Sequence, residues 1–180
     1  MQFVSAISQE KDPQAAVKVL CEEVRKALPE NPHLALFFVS PSYEADWTAL
    51  AKTLQNSLGS PLLIGCSSSG VIGNDLEVEF LPAISLVAAH LPDVALYPFT
   101  VSPIELELSL STKKRWTSCI GVSLEENPSF IIIPEPFSCD AMRLLNDLNE
   151  EFKERPVIGG LASGAVEPEE CAGGRRSPLR

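Results

Sequence analysis

The sequence predicts an α/β protein in which two related β-α-β units and an antiparallel hairpin form mixed sheets flanked by helices. A continuous apolar run, an amphipathic stretch and a short apolar run ending in small residues occur twice, at about residues 33–73 and 129–166. Parallel strands need a long crossover, usually a helix, and each unit provides one. Between the units, two apolar runs are separated by a short turn, as in a hairpin.

The first two elements are predicted to be a strand over residues 3–8 and an amphipathic helix. Asp12 can cap this helix, and Pro13 stands at its first position. Apolar residues then recur every three or four positions until Pro29. Residues 34–39 are continuously apolar, which predicts a strand covered on both faces.

A second helix is predicted over residues 43–58, with Gly59 at its C-terminal cap. A strand over residues 62–64 then completes the first β-α-β unit, and its pairing with the preceding strand is expected to be parallel. The predicted buried stripe of the helix consists of Trp47, Leu50, Ala51, Leu54 and Leu58.

The middle of the chain is predicted to contain the antiparallel hairpin, formed by residues 78–89 and 94–101. Residues 102–114 mix proline, serine, acids and leucines without a period and receive no assignment. Residues 117–124 are predicted as a short strand or a short helix.

The second unit begins with a predicted strand over residues 130–133 and ends with one over residues 157–159. Between them, Ser138 and Asp140 signal the start of a helix. One domain is predicted over residues 1–166, and residues 167–180 are predicted to be a disordered or truncated tail because they lack apolar periodicity. The predicted buried stripe of the helix consists of Ala141, Leu144, Leu145, Leu148 and Phe152.

Charge and cysteine content exclude several classes of function. A net charge of −10 predicts no nucleic-acid partner, because phosphates would be repelled over most of the surface. Five scattered cysteines without a C-x-x-C pair, and no signal sequence, predict a cytoplasmic protein. No apolar run reaches the roughly 18–20 residues that span a bilayer, so no membrane insertion is expected. No metal or cofactor is expected either, since ligand-spaced His and Cys residues are lacking.

Two stretches rich in glycine and serine, residues 62–73 and 156–164, carry the candidate site. Glycine permits close backbone approach, successive N–H groups can bind an anion, and serine adds short donors. This chemistry suits a small carboxylate, and a nearby glutamate could balance a ligand ammonium group. The alternative is that the strand-end glycines only permit tight packing. The predicted ligand-binding residues are Gly65, Cys66, Ser67, Ser68, Ser69, Gly70, Glu77, Gly159, Gly160, Ser163 and Gly164.

Catalytic motifs fit these stretches poorly. The pattern from Gly65 to Ser69 lacks the last glycine of a nucleophile elbow, and Val71 stands where a P-loop needs lysine. A second hypothesis is a thiol enzyme that uses Cys66, for which His33 or His90 would have to be the base. A third is a truncated module that binds no ligand and acts only as an interaction partner.

The same motifs resemble the N-terminal FIST domain. The resemblance rests on residues 65–70, on Glu77-Val78-Glu79, on the strand at residues 82–86 and on residues 157–164, and it covers about residues 1–166. It implies a sensory domain that binds a small ligand, such as an amino acid, and passes a signal to an output module or partner protein. It brings no catalytic residues, so no enzyme activity is expected. Family members usually continue into a C-terminal FIST domain, which this sequence is expected to lack.

Overall fold

A computed structural model of the chain describes residues 1–43, 47–59, 62–104, 106 and 116–164. The predicted α/β class is confirmed, since helices alternate with strands in parallel, antiparallel and mixed sheets. The chain divides into two compact units, each with its own core. The first holds residues 1–94 together with Ser163 and Gly164, and the second holds residues 95–162.

The first unit is built on a four-stranded mixed sheet. Its elements in chain order are β1 (Gln2–Ser8), α1 (Pro13–Ala27), β2 (Leu34–Val39), α2 (Trp47–Leu58), β3 (Leu62–Ser67), β4 (Gly70–Gly73), β5 (Leu76–Glu79) and β6 (Ile84–His90). The strand order of the sheet is β1-β6-β2-β3. The pairing of β2 with β3 is parallel, which confirms the first predicted β-α-β unit, and β6 is antiparallel to both of its neighbours.

Helices α1 and α2 supply much of the core of this unit. The Asp12 carboxylate accepts hydrogen bonds from the first-turn amides of α1, as its predicted capping role requires. Leu20 of α1 and Leu50 of α2 are buried. Trp47 exposes 37% of its surface and Ala51 is half-buried, so the predicted stripe is wrong at Trp47. Tyr43 is not helical, and residues 44–46 lie outside the described part of the chain.

The hairpin of the structure is formed by β4 and β5, which pair antiparallel around a turn at Asn74 and Asp75. It packs on the sheet through Val71 and Val78, and the buried Ser85 hydroxyl donates a hydrogen bond to the carbonyl oxygen of Ile72.

The predicted hairpin of residues 78–89 with 94–101 is therefore wrong. Phe80, with φ of 59°, interrupts the first of these runs, and β6 starts only at Ile84. Residues 94–101 form no strand. Pro98 lacks the amide proton that a central ladder position requires, and Asp93 has φ of 65°, which turns the chain away from extended structure.

The second unit contains α3 (Trp116–Ile120), a 3-10 turn (Leu124–Glu126), β7 (Phe130–Ile132), α4 (Ala141–Glu151) and β8 (Val157–Gly159). The predicted strand–helix–strand order is confirmed, and β7 pairs with β8 in parallel. Of the two alternatives for residues 117–124, the structure has the helix. That the two β-α-β units are repeats stays a prediction, as does the single domain over residues 1–166. The predicted tail lies outside the described residues. The core consists of Leu106, Trp116, Ile120, Val122, Phe130, Ile132, Leu144, Leu148 and Phe152.

Candidate functional site

The serine turn, which we define as Ser67–Gly70, lies where β3 leaves the sheet. Ser67 is opposite Val39, the last residue of β2, and the Ser68 amide donates to the Val39 carbonyl oxygen at 2.9 Å. The carboxyl ends of the two parallel strands therefore meet at this turn. In open α/β sheets, ligands bind outside the carboxyl ends of the strands.

Gly65 and Cys66, which follow the predicted strand of residues 62–64, lie within β3. The predicted strand ended at residue 64, whereas β3 continues to Ser67. Gly65 is opposite Phe37, and a Cβ atom at Gly65 would lie 2.1 Å from the Phe37 carbonyl oxygen and 2.4 Å from its ring. Glycine is thus required here for packing, as one of the two interpretations of this residue proposed. Its predicted contact with a ligand stays a prediction.

The serine turn is joined to Ser163, where the chain re-enters the first unit. The Ser69 amide donates to Ser163 Oγ at 3.2 Å, and the Ser69 hydroxyl donates to the same oxygen at 3.4 Å. The Ser68 and Ser163 hydroxyls lie 3.2 Å apart. The structure therefore brings together three of the predicted serines, from two stretches that are about ninety residues apart in the sequence.

The donor hydrogens of this cluster can be assigned. Ser68 Oγ donates its one hydrogen to the Gly70 carbonyl oxygen at 2.6 Å, so Ser163 must be the donor in its contact with Ser68. Ser163 Oγ then donates once and accepts twice, which is the full capacity of a hydroxyl group. The hydroxyl hydrogens of Ser68, Ser69 and Ser163 and the Ser69 amide are all engaged within the cluster.

We call Ser163–Gly164 the return segment. Gly164 also holds this segment against the serine turn. Its amide donates to the Ser67 carbonyl oxygen at 3.2 Å. A Cβ atom on Gly164 would lie 2.3 Å from both Cβ and Oγ of Ser67. The return segment can lie against the serine turn only because residue 164 has no side chain.

Glu79, rather than the predicted Glu77, is the acidic residue beside the serine turn. The register of β4 with β5 sets Glu79 opposite Gly70 and Glu77 opposite Ile72. Glu79 Cγ and Oε1 lie 3.2 and 3.6 Å from the position of a Cβ atom on Gly70. The Asn74-Asp75 pair could have indicated the hairpin turn and hence this register, had the two flanking runs been recognised as strands.

Gly159 and Gly160 belong to the second unit, at the end of β8. Gly159 has φ of 151°, and a Cβ atom there would lie 1.8 Å from the Ile132 carbonyl oxygen. The Gly160 amide donates to that same oxygen at 3.3 Å. These contacts show a packing role for Gly159, and the predicted participation of both glycines in a ligand site stays a prediction.

Cys66 does not have the surroundings of a reactive thiol. The residue is half-buried, and burial raises the pKa of its thiol above the ordinary value, which disfavours the nucleophilic thiolate. The next residue after His33 is Leu34, which is opposite Leu62, four positions before Cys66 in β3. At about 3.3 Å per residue, this separates the two ends by roughly 13 Å.

The two histidines contact each other and the backbone at that remote end of the sheet. Their ring centroids are 4.6 Å apart. His33 Nδ1 accepts a hydrogen bond from the Leu91 amide at 2.8 Å, and His90 Nδ1 lies 3.3 Å from the Asn31 carbonyl oxygen. Neither ring is placed to act as a base for Cys66.

Among the residues that the structure describes, no three His, Cys, Asp or Glu side chains lie together in a way that could hold a metal ion. None of the helices that the structure describes is long and apolar enough to cross a bilayer.

The chain is similar to two proteins of Mycobacterium tuberculosis, one from strain CDC 1551 / Oshkosh and one from strain ATCC 25618 / H37Rv, both described as uncharacterized. Each is 23% identical to it over 134 residues, which cover 74% of this chain and 33% of the relative. The chain thus spans about a third of the length of these relatives. The FIST N domain matches residues 33–177, which is most of the sequence. The chain belongs to the FIST N domain family, a family of small-ligand sensory domains found in signalling proteins.

Proposed function

We propose that this FIST N domain binds a small ligand carrying a carboxylate, such as an amino acid, at the serine turn. The observation that carries the proposal is that the Ser69 amide and the Ser69 hydroxyl both donate to one oxygen atom, Ser163 Oγ, at 3.2 and 3.4 Å. Two donors aimed at one oxygen suit a carboxylate, whose charged oxygen accepts stronger hydrogen bonds than a neutral one.

The charge beside the turn supports an amino acid over a simple carboxylate. Glu79 brings a carboxylate next to Gly70, at the edge of the same turn. A ligand ammonium group near this carboxylate would gain a favourable Coulomb interaction, while a ligand without the ammonium would gain nothing from it. Glu79 therefore takes the role that the sequence suggested for Glu77.

We propose binding without catalysis. The raised pKa of the Cys66 thiol and the roughly 13 Å to the histidine end of the sheet both disfavour thiol chemistry. A sensory site needs only to exchange its ligand, and the amide and hydroxyl of Ser69 can donate to a carboxylate without any catalytic group.

We also propose that the domain works in the cytoplasm and passes its state to a partner protein or to an attached output module. The four described cysteines are free thiols, and Cys119 is exposed, which suits a reducing compartment. The greater length of the relatives leaves room for an output module in proteins of this kind.

Titration calorimetry of the purified chain with the twenty common amino acids, acetate and methylamine tests the binding proposal. We expect binding of at least one amino acid, with Glu79→Gln weakening it by several-fold and Glu77→Gln leaving it unchanged, because Glu77 is opposite Ile72. A Ser69→Val variant should also bind more weakly, since it lacks one donor. No binding of any amino acid or of acetate would overturn the proposal.

An interaction module without a ligand is a second candidate, favoured by an exposed apolar surface on the first unit. Phe80 exposes 84% of its surface, and the next residue, Leu81, exposes 58%. Contiguous exposed apolar residues mark contact sites more often than scattered ones do. Sedimentation of the wild type and of Phe80→Ser over a range of concentrations tests this candidate: self-association that the substitution abolishes would favour it, and a monomer at all concentrations would count against it.

A further inference from the structure

We propose that the return segment, Ser163–Gly164, is an internal strap whose Ser163 hydroxyl occupies the position of the ligand's carboxylate oxygen, so that ligand binding displaces it. This inference rests on the proposed function and adds its regulation: the serine turn is closed in the absence of ligand.

The donor hydrogens of Ser68, Ser69 and Ser163 favour the displacement. With the strap in place, the Ser69 amide and hydroxyl are both engaged by Ser163 Oγ, and the Ser68 hydroxyl is engaged by the Gly70 carbonyl oxygen. Ser163 itself has given its hydrogen to Ser68. A carboxylate therefore finds no free hydroxyl donor among these three serines. It gains two donors at once when its oxygen takes the place of Ser163 Oγ.

The lengths of the strap's hydrogen bonds indicate that the exchange is favourable. The two hydroxyl contacts of Ser163 Oγ measure 3.2 and 3.4 Å, whereas O–H···O bonds in proteins are most often about 2.7–2.8 Å. The Ser69 amide bond to the same oxygen, at 3.2 Å, is at the long end of the N–H···O range. Long bonds between neutral groups are weak. A carboxylate oxygen forms shorter, charge-assisted bonds with the same donors, so it can compete with Ser163.

Gly164 holds the strap against the turn and makes its removal easy to engineer. Its amide donates to the Ser67 carbonyl oxygen at 3.2 Å, and a Cβ atom there would lie 2.3 Å from Ser67 Cβ. Substitution with alanine must therefore lift the segment off the turn without touching Ser68 or Ser69. The strap directly follows residue 162, the last residue of the second unit. A ligand that displaces the strap therefore also shifts the point at which the chain re-enters the first unit.

Calorimetry with acetate and the twenty common amino acids, on wild type and two variants, tests the strap. Ser163→Ala removes the competing oxygen, and Gly164→Ala displaces it by steric overlap. Both variants should bind the wild type's amino-acid ligand roughly 3- to 30-fold more tightly, the factor that one or two neutral hydrogen bonds represent. Ser129→Ala, at an exposed position in the second unit, should bind as wild type.

The alternative results separate the strap from the binding site. Weaker binding by Ser163→Ala would show that Ser163 contacts the ligand directly, and unchanged binding by both variants would show that it does not compete; either result overturns the strap while the proposed function stands. No binding by any of the proteins overturns both. Hydrogen exchange at the Ser69 amide provides a measurement without ligand: exchange should be faster in both strap variants than in wild type, and equal rates would contradict the strap.

Discussion

At the scale of single residues, Gly65 allows β2 and β3 to pack closely where it lies opposite Phe37. Gly65→Ala would set a Cβ atom 2.1 Å from the Phe37 carbonyl oxygen, and a backbone atom cannot move aside as a flexible side chain can. We expect the free energy of unfolding to fall by about 1–3 kcal/mol, as for other overpacked cores. Urea denaturation followed by circular dichroism would measure it.

Gly160→Ala is the matched control for this substitution. A Cβ atom at Gly160 would meet no other atom within 4 Å, so the unfolding free energy should stay within about 0.5 kcal/mol of wild type. Equal effects of the two substitutions would mean that the contact with Phe37 does not decide the cost at Gly65.

Alkylation by iodoacetamide distinguishes a structural Cys66 from a catalytic one. Burial raises the pKa of the Cys66 thiol, so at neutral pH less of it is thiolate than for an ordinary cysteine. We expect the exposed Cys119 to react first, and Cys66 to react appreciably only above the pH range, around 8.5, in which free thiols titrate. Protein stability should fall as pH rises through that range, because the folded state keeps a Cys66 thiol proton that the unfolded chain releases.

Mass spectrometry of the alkylated peptides would assign each rate to its cysteine. A Cys66→Ser variant should lose one of the slow reactions and keep the fast reaction of Cys119. If Cys66 instead reacted faster than Cys119 at neutral pH, the thiol-enzyme hypothesis would return despite the distance to the histidines.

The sequence could predict which residue types form the candidate site, but it could not predict their partners. The residue types and the repeated strand–helix–turn order pointed to Ser68, Ser69 and Ser163, and the structure brings these three together. The sequence could not decide between Glu77 and Glu79, because the register of β4 with β5 determines which of the two lies opposite Gly70. The sequence also could not predict that the hydroxyl hydrogens of these three serines are already engaged with one another and with Gly70, because that depends on interatomic distances.

At the scale of elements, α3 depends on a carboxylate from another helix. The backbone amides of Trp116 and Thr117 donate to the two oxygens of Glu151, at 2.6 and 2.9 Å. A helix of five residues has little stability of its own, and its first amides have no partner within the helix. Glu151→Gln retains one acceptor oxygen but loses the charge, so we expect a loss of about 1–2 kcal/mol in unfolding free energy.

Glu150→Gln is the control for the loss of charge, because Glu150 is the adjacent, exposed position of α4. Thermal and urea unfolding of both variants would give the comparison, and faster hydrogen exchange at Trp116 and Thr117 should appear in Glu151→Gln alone. Equal stability of the two variants would show that the carboxylate does not hold α3.

Helices were easier to predict than strand pairs because their signals are local. Asp12 and Asp140 cap α1 and α4 as their positions in the sequence indicated, and the apolar period of each helix is visible within it. The apolar run at residues 78–89 carried one local sign of a break, Pro82, which has no amide proton for a ladder hydrogen bond, and the prediction of a continuous strand overlooked it. Its break at Phe80 requires a positive φ that is uncommon for a large side chain, and sequence patterns do not anticipate such a conformation.

At the scale of the whole molecule, the sheet of the first unit extends beyond the part that the family comparison covers. The match to the FIST N domain begins at residue 33, yet β1 pairs along its whole length with β6, and Leu20 of α1 is fully buried. The insertion of β6 between β1 and β2 joins segments about fifty residues apart or more. Such long-range pairings are not visible in periodicity, which predicted the adjacent parallel pair correctly and left the sheet order open.

Separate cores predict that the two units respond separately to cavities. Leu86 lies in the core of the first unit and Leu148 in that of the second, and both side chains are fully buried. Substitution of either leucine by alanine should cost about 2–5 kcal/mol through lost contacts and the cavity left behind. Because protected amides open in cooperative groups, Leu148→Ala should accelerate hydrogen exchange mainly in β7 and β8, and Leu86→Ala mainly in β1, β2 and β6. Each variant is the control for the other, and equal acceleration in both units by either substitution would show that the two cores open together.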